Sequence, residues 1–197
     1  MLRRSLLTSA IAASLLTTFS LPAFATQVYE TDLVIIGGGL SGLAAAQSAV
    51  DQGAKPIVLE KEAALGGGGN FPEGSLGVGT RYQKEHNINT TVDQVLTAAL
   101  QYHHYRADPH VLRVLIEESG KTIDWVMDKG AQMRGIRTMY PKDESLMTWH
   151  LFKGGAAGII QRFAKEVRAK GGTILTETPA KKLIVENGKV VGVEAVD

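Results

Sequence analysis

Gly37-Gly38-Gly39-Leu40-Ser41-Gly42 satisfies the spacing G-x-G-x-x-G. The chemistry this spacing serves is the binding of a diphosphate. Gly37 permits a tight turn, Gly39 removes a Cβ that would block a pyrophosphate, and Gly42 lets a helix lie close on a strand. The N–H groups that open such a helix meet the phosphate charge. Eighteen residues beyond Gly42 stands Glu60. A carboxylate there accepts hydrogen bonds from the hydroxyls of an adenosine ribose and repels a 2′-phosphate. Lys61, beside it, reads either as part of the same site or as a solvated charge at the end of a strand.

A second glycine cluster follows, with Gly67, Gly68, Gly69 and Asn70 opening a stretch that continues FPEGSLGVGT. The first fingerprint alone fits NAD as well as FAD. Bare backbone directly after the ribose-binding strand can wrap a pyrophosphate and a flavin from the other side, which favours FAD. A merely mobile loop is the alternative.

The remaining candidates for chemistry are few. The chain has no cysteine, which removes disulfides, thiolate nucleophiles, iron–sulfur ligation and flavin attachment through sulfur. His86, His103, His104, His110 and His150 form no metal-ligand spacing and read as solvated or partly buried imidazoles. Approach of His150 to a flavin or substrate is the second reading. Arg134 and Arg137 read first as surface arginines and second as contacts for a carboxylate substrate.

The elements that must position these residues follow from periodicity. TDLVII (31–36) and PIVLE (56–60) are short, apolar and β-branched, as buried parallel strands are. The alanine-rich LSGLAAAQSAVDQG between them predicts a helix ending at Gly53. Strand, glycine turn, helix and strand make a βαβ unit. Residues 61–90 show no clear regular element. Thr91-Val92-Asp93-Gln94 is a capping box that opens a helix through about Tyr105,. Asp108-Pro109 opens the next helical region, which Gly120 interrupts or divides and Gly130 closes,. Residues 131–150 read as irregular. A helix over 154–171, the strand TILTE and a hairpin turned at Asn187-Gly188 complete the chain,. The pattern is α/β.

At 197 residues the chain is one domain by length,. Half of its 22 glycines fall in the two clusters, 37–42 and 66–79, so the cause of the excess is local. A formal net charge of +1 gives no footprint for nucleic acid,. The start differs from the rest. MLRR, a short apolar run and the small residues Ala23 and Ala25 read as a signal peptide over 1–25, cleaved after Ala25. The expectation is an exported, periplasmic or secreted protein. Arg3-Arg4 hints weakly at the twin-arginine route,. Residues 26–197 are then the cofactor-binding domain.

Beyond these features, four segments in order resemble the FAD-binding domain of the fumarate reductase and succinate dehydrogenase flavoprotein superfamily. They are DLVIIGGGLSGLAAAQSAVDQGAKPIVLEK, GGGGNFPEG-S-L, DPHVLRVLIEESGKTIDWVMDKGA with its W-x-x-x-x-G-A ending, and WHLFKGGAAGIIQRFAKEVRAKGGTILTETPAKKLIVENGKVVGVEA. The resemblance runs from about Tyr29 to Asp197. It implies a Rossmann-like domain with a glutathione-reductase-like βαβ core, a helical insertion and a C-terminal β-hairpin. It implies diphosphate contacts at Gly37, Gly39, Ser41 and Gly42 and a ribose contact at Glu60, with Leu40 and Lys61 counted among the cofactor-binding residues. Gly67, Gly68, Gly69 and Asn70 would lie along the second phosphate and flavin side, and Ala180 would offer backbone to the adenine.

The departures bear on function. Family members often read H-R-P-x-G-G where this chain has His150-Leu151-Phe152-Lys153-Gly154-Gly155. The second glycine region has no histidine, so noncovalent FAD is expected. The family also carries a capping domain and a returning C-terminal segment, neither of which is found in these residues. The resemblance implies an oxidoreductase exchanging hydride between flavin N5 and an activated C=C bond, with a small carboxylate as substrate. An electron-donor protein is a further expected partner. The alternatives are an incomplete, catalytically inactive flavin-binding module and an NAD-dependent dehydrogenase.

Overall fold

The computed structural model describes residues 27–139 and 146–196. The expected signal peptide lies outside them. The fold is carried by the compact unit that begins at Thr31.

Three parallel strands form the first sheet, in the order β1 (Val34–Ile36), β2 (Ile57–Leu59), β6 (Thr173–Leu175). Val34 pairs with Ile57 and Ile57 with Thr173. All three residues of β2 are buried, as the central strand of a covered sheet requires,. Helix α1 (Leu40–Asp51) connects β1 to β2, and α5 (Gly155–Ala169) precedes β6. Ala46 and Val50 of α1 and Val167 of α5 meet Val58 of β2 in one cluster. Leu43, Ile160, Phe163 and Ala164 join the two helices in a larger one.

The larger cluster also takes in Ile123 and Val126 of α4 (Pro109–Asp128). Trp125 stacks obliquely on Phe163 with ring centres 5.2 Å apart. Asp108 caps α4 by accepting from the N–H groups of His110 and Val111, and Pro109 sits where its missing N–H costs nothing,. Gly120 does not interrupt this helix. It is buried in the interior of α4, and a Cβ there would overlap the Val78 carbonyl oxygen. The neighbouring Ser119 hydroxyl accepts the Val78 N–H at 3.1 Å. The Ser119-Gly120 pair is therefore a dock for the chain after β3.

Residues 61–90 contain more structure than their composition suggests. A 3-10 turn spans Gly67–Asn70, β3 spans Gly74–Leu76, and α2 spans Arg81–Glu85. Thr80 and Gln83 form a capping box at α2, as Thr91 and Gln94 do at α3 (Val92–Tyr102). Helix α3 ends three residues before its expected limit, because His104 and Tyr105 take positive φ,.

Residues 131–150 are not irregular either. They hold β4 (Met133–Thr138) and most of β5 (Met147–Phe152), which form an antiparallel sheet in the order β3-β5-β4. The alternation of β5 was concealed because Thr148 and His150 face inward while Met147, Trp149 and Leu151 are half-exposed. The hairpin is as expected. β7 (Ala180–Glu186) and β8 (Lys189–Ala195) turn at Asn187-Gly188, both at positive φ, the conformation an Asn-Gly pair favours,.

Candidate glycine-cradle site

The first glycine loop leaves β1 with the Gly37 N–H donating to the Leu59 carbonyl at 2.7 Å. Gly37 has φ +103°, which a side chain would strain, and a Cβ on Gly42 would overlap the Gly37 carbonyl oxygen,. These two glycines fix the turn from strand into helix. Gly39 differs. Nothing nearer than the Gly66 carbonyl, at 3.9 Å, would meet a Cβ there. Its bare face is an opening rather than a packing requirement. Gly39 is also the N-cap of α1, which no side chain caps. The first-turn N–H donors that a cap would occupy lie beside that opening. Ser41 is exposed in this turn, while Leu40 packs inward against the larger core cluster.

Glu60 closes the loop from behind. Its Oε2 accepts the Gly38 N–H at 2.7 Å, and its Oε1 accepts the Glu62 N–H at 2.9 Å. Its own N–H donates to Leu175, and its carbonyl accepts from Thr178. The side chain is buried. The Glu62 N–H, followed by the Gly38 and Lys61 N–H groups, holds the Glu60 carboxyl below its ordinary range against the opposing effect of burial. Glu60 is thus ionised at neutral pH, and each oxygen keeps acceptor capacity beyond its backbone bond. Lys61 is exposed and pairs with Glu62 at 3.5 Å.

The second glycine loop is fastened to the first. The Gly66 N–H donates to the Gly38 carbonyl at 2.8 Å, and Gly39 and Gly66 form a parallel bridge. Beyond this seam Gly67 and Gly68 are exposed, with open space where a Cβ would project. Gly69 is closer to the core, facing Leu40 and Ile160. Asn70 folds its amide back to donate to the Leu65 carbonyl at 2.9 Å, bracing the loop. Ala180 enters through the chain after β6. Thr178 N–H donates to Glu60 and Glu177 N–H to Glu62. Ala180 follows two residues later, half-buried at the start of β7. Gly37–Gly42, Glu60, Gly66–Asn70 and the approach to Ala180 are therefore one assembly.

The other candidates stand apart from it. Arg134 and Arg137 both point to Glu73, at 3.1 and 3.9 Å. His86 lies at the end of α2, its ring stacked on Tyr82. His103 is the cap residue of α3 rather than part of it. His150 is fully buried, between Thr80 and Thr148. The residues that periodicity missed are Glu62 and Leu65, whose backbones brace the cradle, and Thr80 with Gln83. The latter pair carried a signal, since Thr-Arg-Tyr-Gln is itself a capping box,.

The model of one protein family, described as an FAD binding domain, matches residues 32–197. The chain belongs to that family. It is an FAD-binding domain related to the fumarate reductase and succinate dehydrogenase flavoproteins. It is 34% identical over 164 residues to a vinyl phenol reductase of Lactiplantibacillus plantarum, covering 82% of this chain and 33% of the relative. It is 28% identical to an NADH:fumarate oxidoreductase of Klebsiella pneumoniae, covering 84% of this chain and 18% of that protein. The FAD-binding domain thus spans a third or less of these relatives' length. A flavocytochrome c3 fumarate reductase solved in an open conformation superposes with a TM-score of 0.70 at 22% identity, covering 84% of this chain and 30% of the other. That likeness is one of fold. Among the described residues, no helix is long and apolar enough to cross a membrane.

Proposed function

We propose that this domain holds FAD noncovalently in the glycine cradle and serves a reductase that acts on activated C=C bonds. The observation that carries the reading is the seam between the two glycine loops. Gly38 gives its N–H to Glu60 and its carbonyl to Gly66. A dinucleotide laid along Gly39 would touch both loops at once, with its position set before it binds.

Each residue has a part in this reading. Gly37, Gly39, Leu40, Ser41 and Gly42 present the helix start to the diphosphate. Glu60 accepts from the adenosine ribose, with Lys61 beside it. Gly67, Gly68, Gly69 and Asn70 line the flavin side. Ala180 meets the adenine through its backbone. When bound, FAD supplies hydride exchange at N5, and the protein's part is to orient and tune it. The relatives' names point to alkenes conjugated to a carboxylate or an aryl group, a small carboxylate being the first candidate, with electrons from a donor protein or reduced nicotinamide. Export through residues 1–25 belongs to the same reading.

The test is titration of the apoprotein with FAD, followed by fluorescence. Saturable binding that Gly39→Val abolishes supports the cradle. Equal affinity in that variant removes it. Oxidation of the bound, reduced flavin by fumarate or a vinylphenol then tests the reaction class.

A further inference from the structure

A second buried polar assembly lies at the far root of the flavin-side loop. Thr148 and His150, on the inward face of β5, are both fully buried. The His150 ring places Nδ1 3.0 Å from the Thr148 carbonyl oxygen. A carbonyl only accepts, so Nδ1 carries the proton. Nε2 of the neutral ring is then the acceptor, and it lies 2.9 Å from Thr80 Oγ1. The Thr80 hydroxyl donates to it and accepts the Gln83 N–H at 3.0 Å. Gln83 returns the bond through Oε1, which accepts the Thr80 N–H, and its Nε2 donates to the Met147 carbonyl at 2.7 Å. The same Thr148 carbonyl that receives His150 Nδ1–H also receives the Gly77 N–H at 2.9 Å. Gly77 lies on the ring, where a Cβ would stand 2.8 Å from Cε1 and Nδ1. Residues 77–80 are thus held to β5 by the Gly77 N–H, by Gln83 and, at Thr80, by one imidazole in one tautomer.

We propose that His150 is a positioning residue for the cofactor: as the neutral Nδ1–H tautomer it anchors the 77–80 end of the flavin-side loop, and its protonation loosens that end and weakens the hold on FAD. This rests on the reading that the 66–80 loop lines the flavin. Protonation turns Nε2 from acceptor into donor. The Thr80 hydroxyl must then reverse its 2.9 Å bond to accept from Nε2 and turn its own proton to Gln83 Oε1, at a longer 3.4 Å, while the fully buried ring takes on a charge. Burial opposes the imidazolium and lowers the His150 pKa from its ordinary 6.5, the Thr148 carbonyl and the charge of Asp124 pulling the other way. Tyr82 of α2 stands edge-on to the ring at 6.1 Å. Asp124 of α4 is itself engaged by the Arg81 N–H and guanidinium. Neither supplies a counter-charge in contact with the ring.

The experiment measures FAD affinity by fluorescence from about pH 7.5 to 4.5, the ordinary window of a histidine carried further to acid because burial lowers the His150 pKa, alongside the His150 imidazole 15N shifts of the same protein. The expected results are an Nδ1–H tautomer at neutral pH and a loss of affinity of about five-fold or more across that window. The loss should follow the titration of that one ring. His150→Asn keeps a donor toward Thr148 and removes the titration, so its affinity should be lower but level with pH. Binding without an acid slope, a slope unchanged in His150→Asn, or an Nε2–H tautomer overturns the proposal. Should the variant not fold, the native protein still decides, through the coincidence or mismatch of ring titration and affinity. Absence of FAD binding at every pH with the tautomer intact overturns the cofactor reading instead, and with it the role of His150 toward FAD.

Discussion

Glu60 Oε2 accepts the backbone N–H of Gly38 at 2.7 Å, across the gap between the end of β2 and the first glycine loop. This bond makes the carboxylate a structural part of the loop as well as the proposed ribose acceptor. The Gly38 peptide is oriented on one side by Glu60 and on the other by the Gly66 N–H that its carbonyl receives. A charged acceptor is stronger than a neutral one, so the loop geometry depends on Glu60 remaining ionised.

Glu60→Gln should therefore weaken FAD binding by about 1–3 kcal/mol, the worth of a hydrogen bond to a charged group. Isothermal titration of the apoprotein measures it. An unchanged dissociation constant would take Glu60 out of the site. The Glu60 carboxyl is held low by the Glu62 and Gly38 N–H groups, so its contribution to folding stability is full above the unfolded value and declines as pH falls through the lowered one.

The glycines of the two loops should separate by what each substitution disturbs. Gly42→Ala gains helix propensity but places a Cβ into the Gly37 carbonyl. Overlap with backbone outweighs propensity, and thermal unfolding should show a loss of about 2 kcal/mol or more. Gly68 has open space around it. Gly68→Ala should leave stability within about 0.5 kcal/mol while weakening FAD binding. The two readouts moving together in Gly68→Ala would place that residue in the core rather than on the cofactor.

Much of the cradle was legible because its residues do local work. Gly37 and Gly42 serve the turn they sit in, and Asn187-Gly188 selects its own hairpin. What escaped was set by distant partners. Glu60 reads as a ribose acceptor from its position alone, yet its bonds to Gly38 and Glu62 use backbone N–H groups that no side-chain pattern reveals. Strand β5 turns Thr148 and His150 to the interior, which inverts the alternation by which strands are recognised. Gly120 read as a helix break because glycine disfavours helices, whereas close approach of the Val78 backbone is the reason it is there,.

Export predicts a mature N-terminus at Thr26, after the small residues at Ala23 and Ala25,. Intact-mass measurement of the protein recovered from its native host checks this. A soluble intracellular product that retains Met1 or Leu2 would reject it.

The acid stability of the domain should depend on Asp51, the last residue of α1. A negative charge there opposes the helix dipole, so its presence needs compensation. Lys129 Nζ lies 2.5 Å from Oδ2 and Lys170 Nζ 2.7 Å from Oδ1, which ties the C-terminal ends of α1, α4 and α5 together. The bond to Lys129 first, then that to Lys170, lowers the Asp51 pKa from 3.8 to about 2. Because the folded value is depressed, the unfolded chain binds the proton more readily between the two values. The stabilisation is full above the unfolded value and is lost as pH falls toward the folded one. Solvent reaches the carboxylate and both lysines, so screening reduces the net worth to about 1 kcal/mol. Asp51→Asn should thus lower the thermal midpoint at neutral pH by a few degrees. The difference between native and variant should close as pH is taken from about 5 to about 2. A difference that persists unchanged at the acid end would show that Asp51 acts through packing, not through its charge.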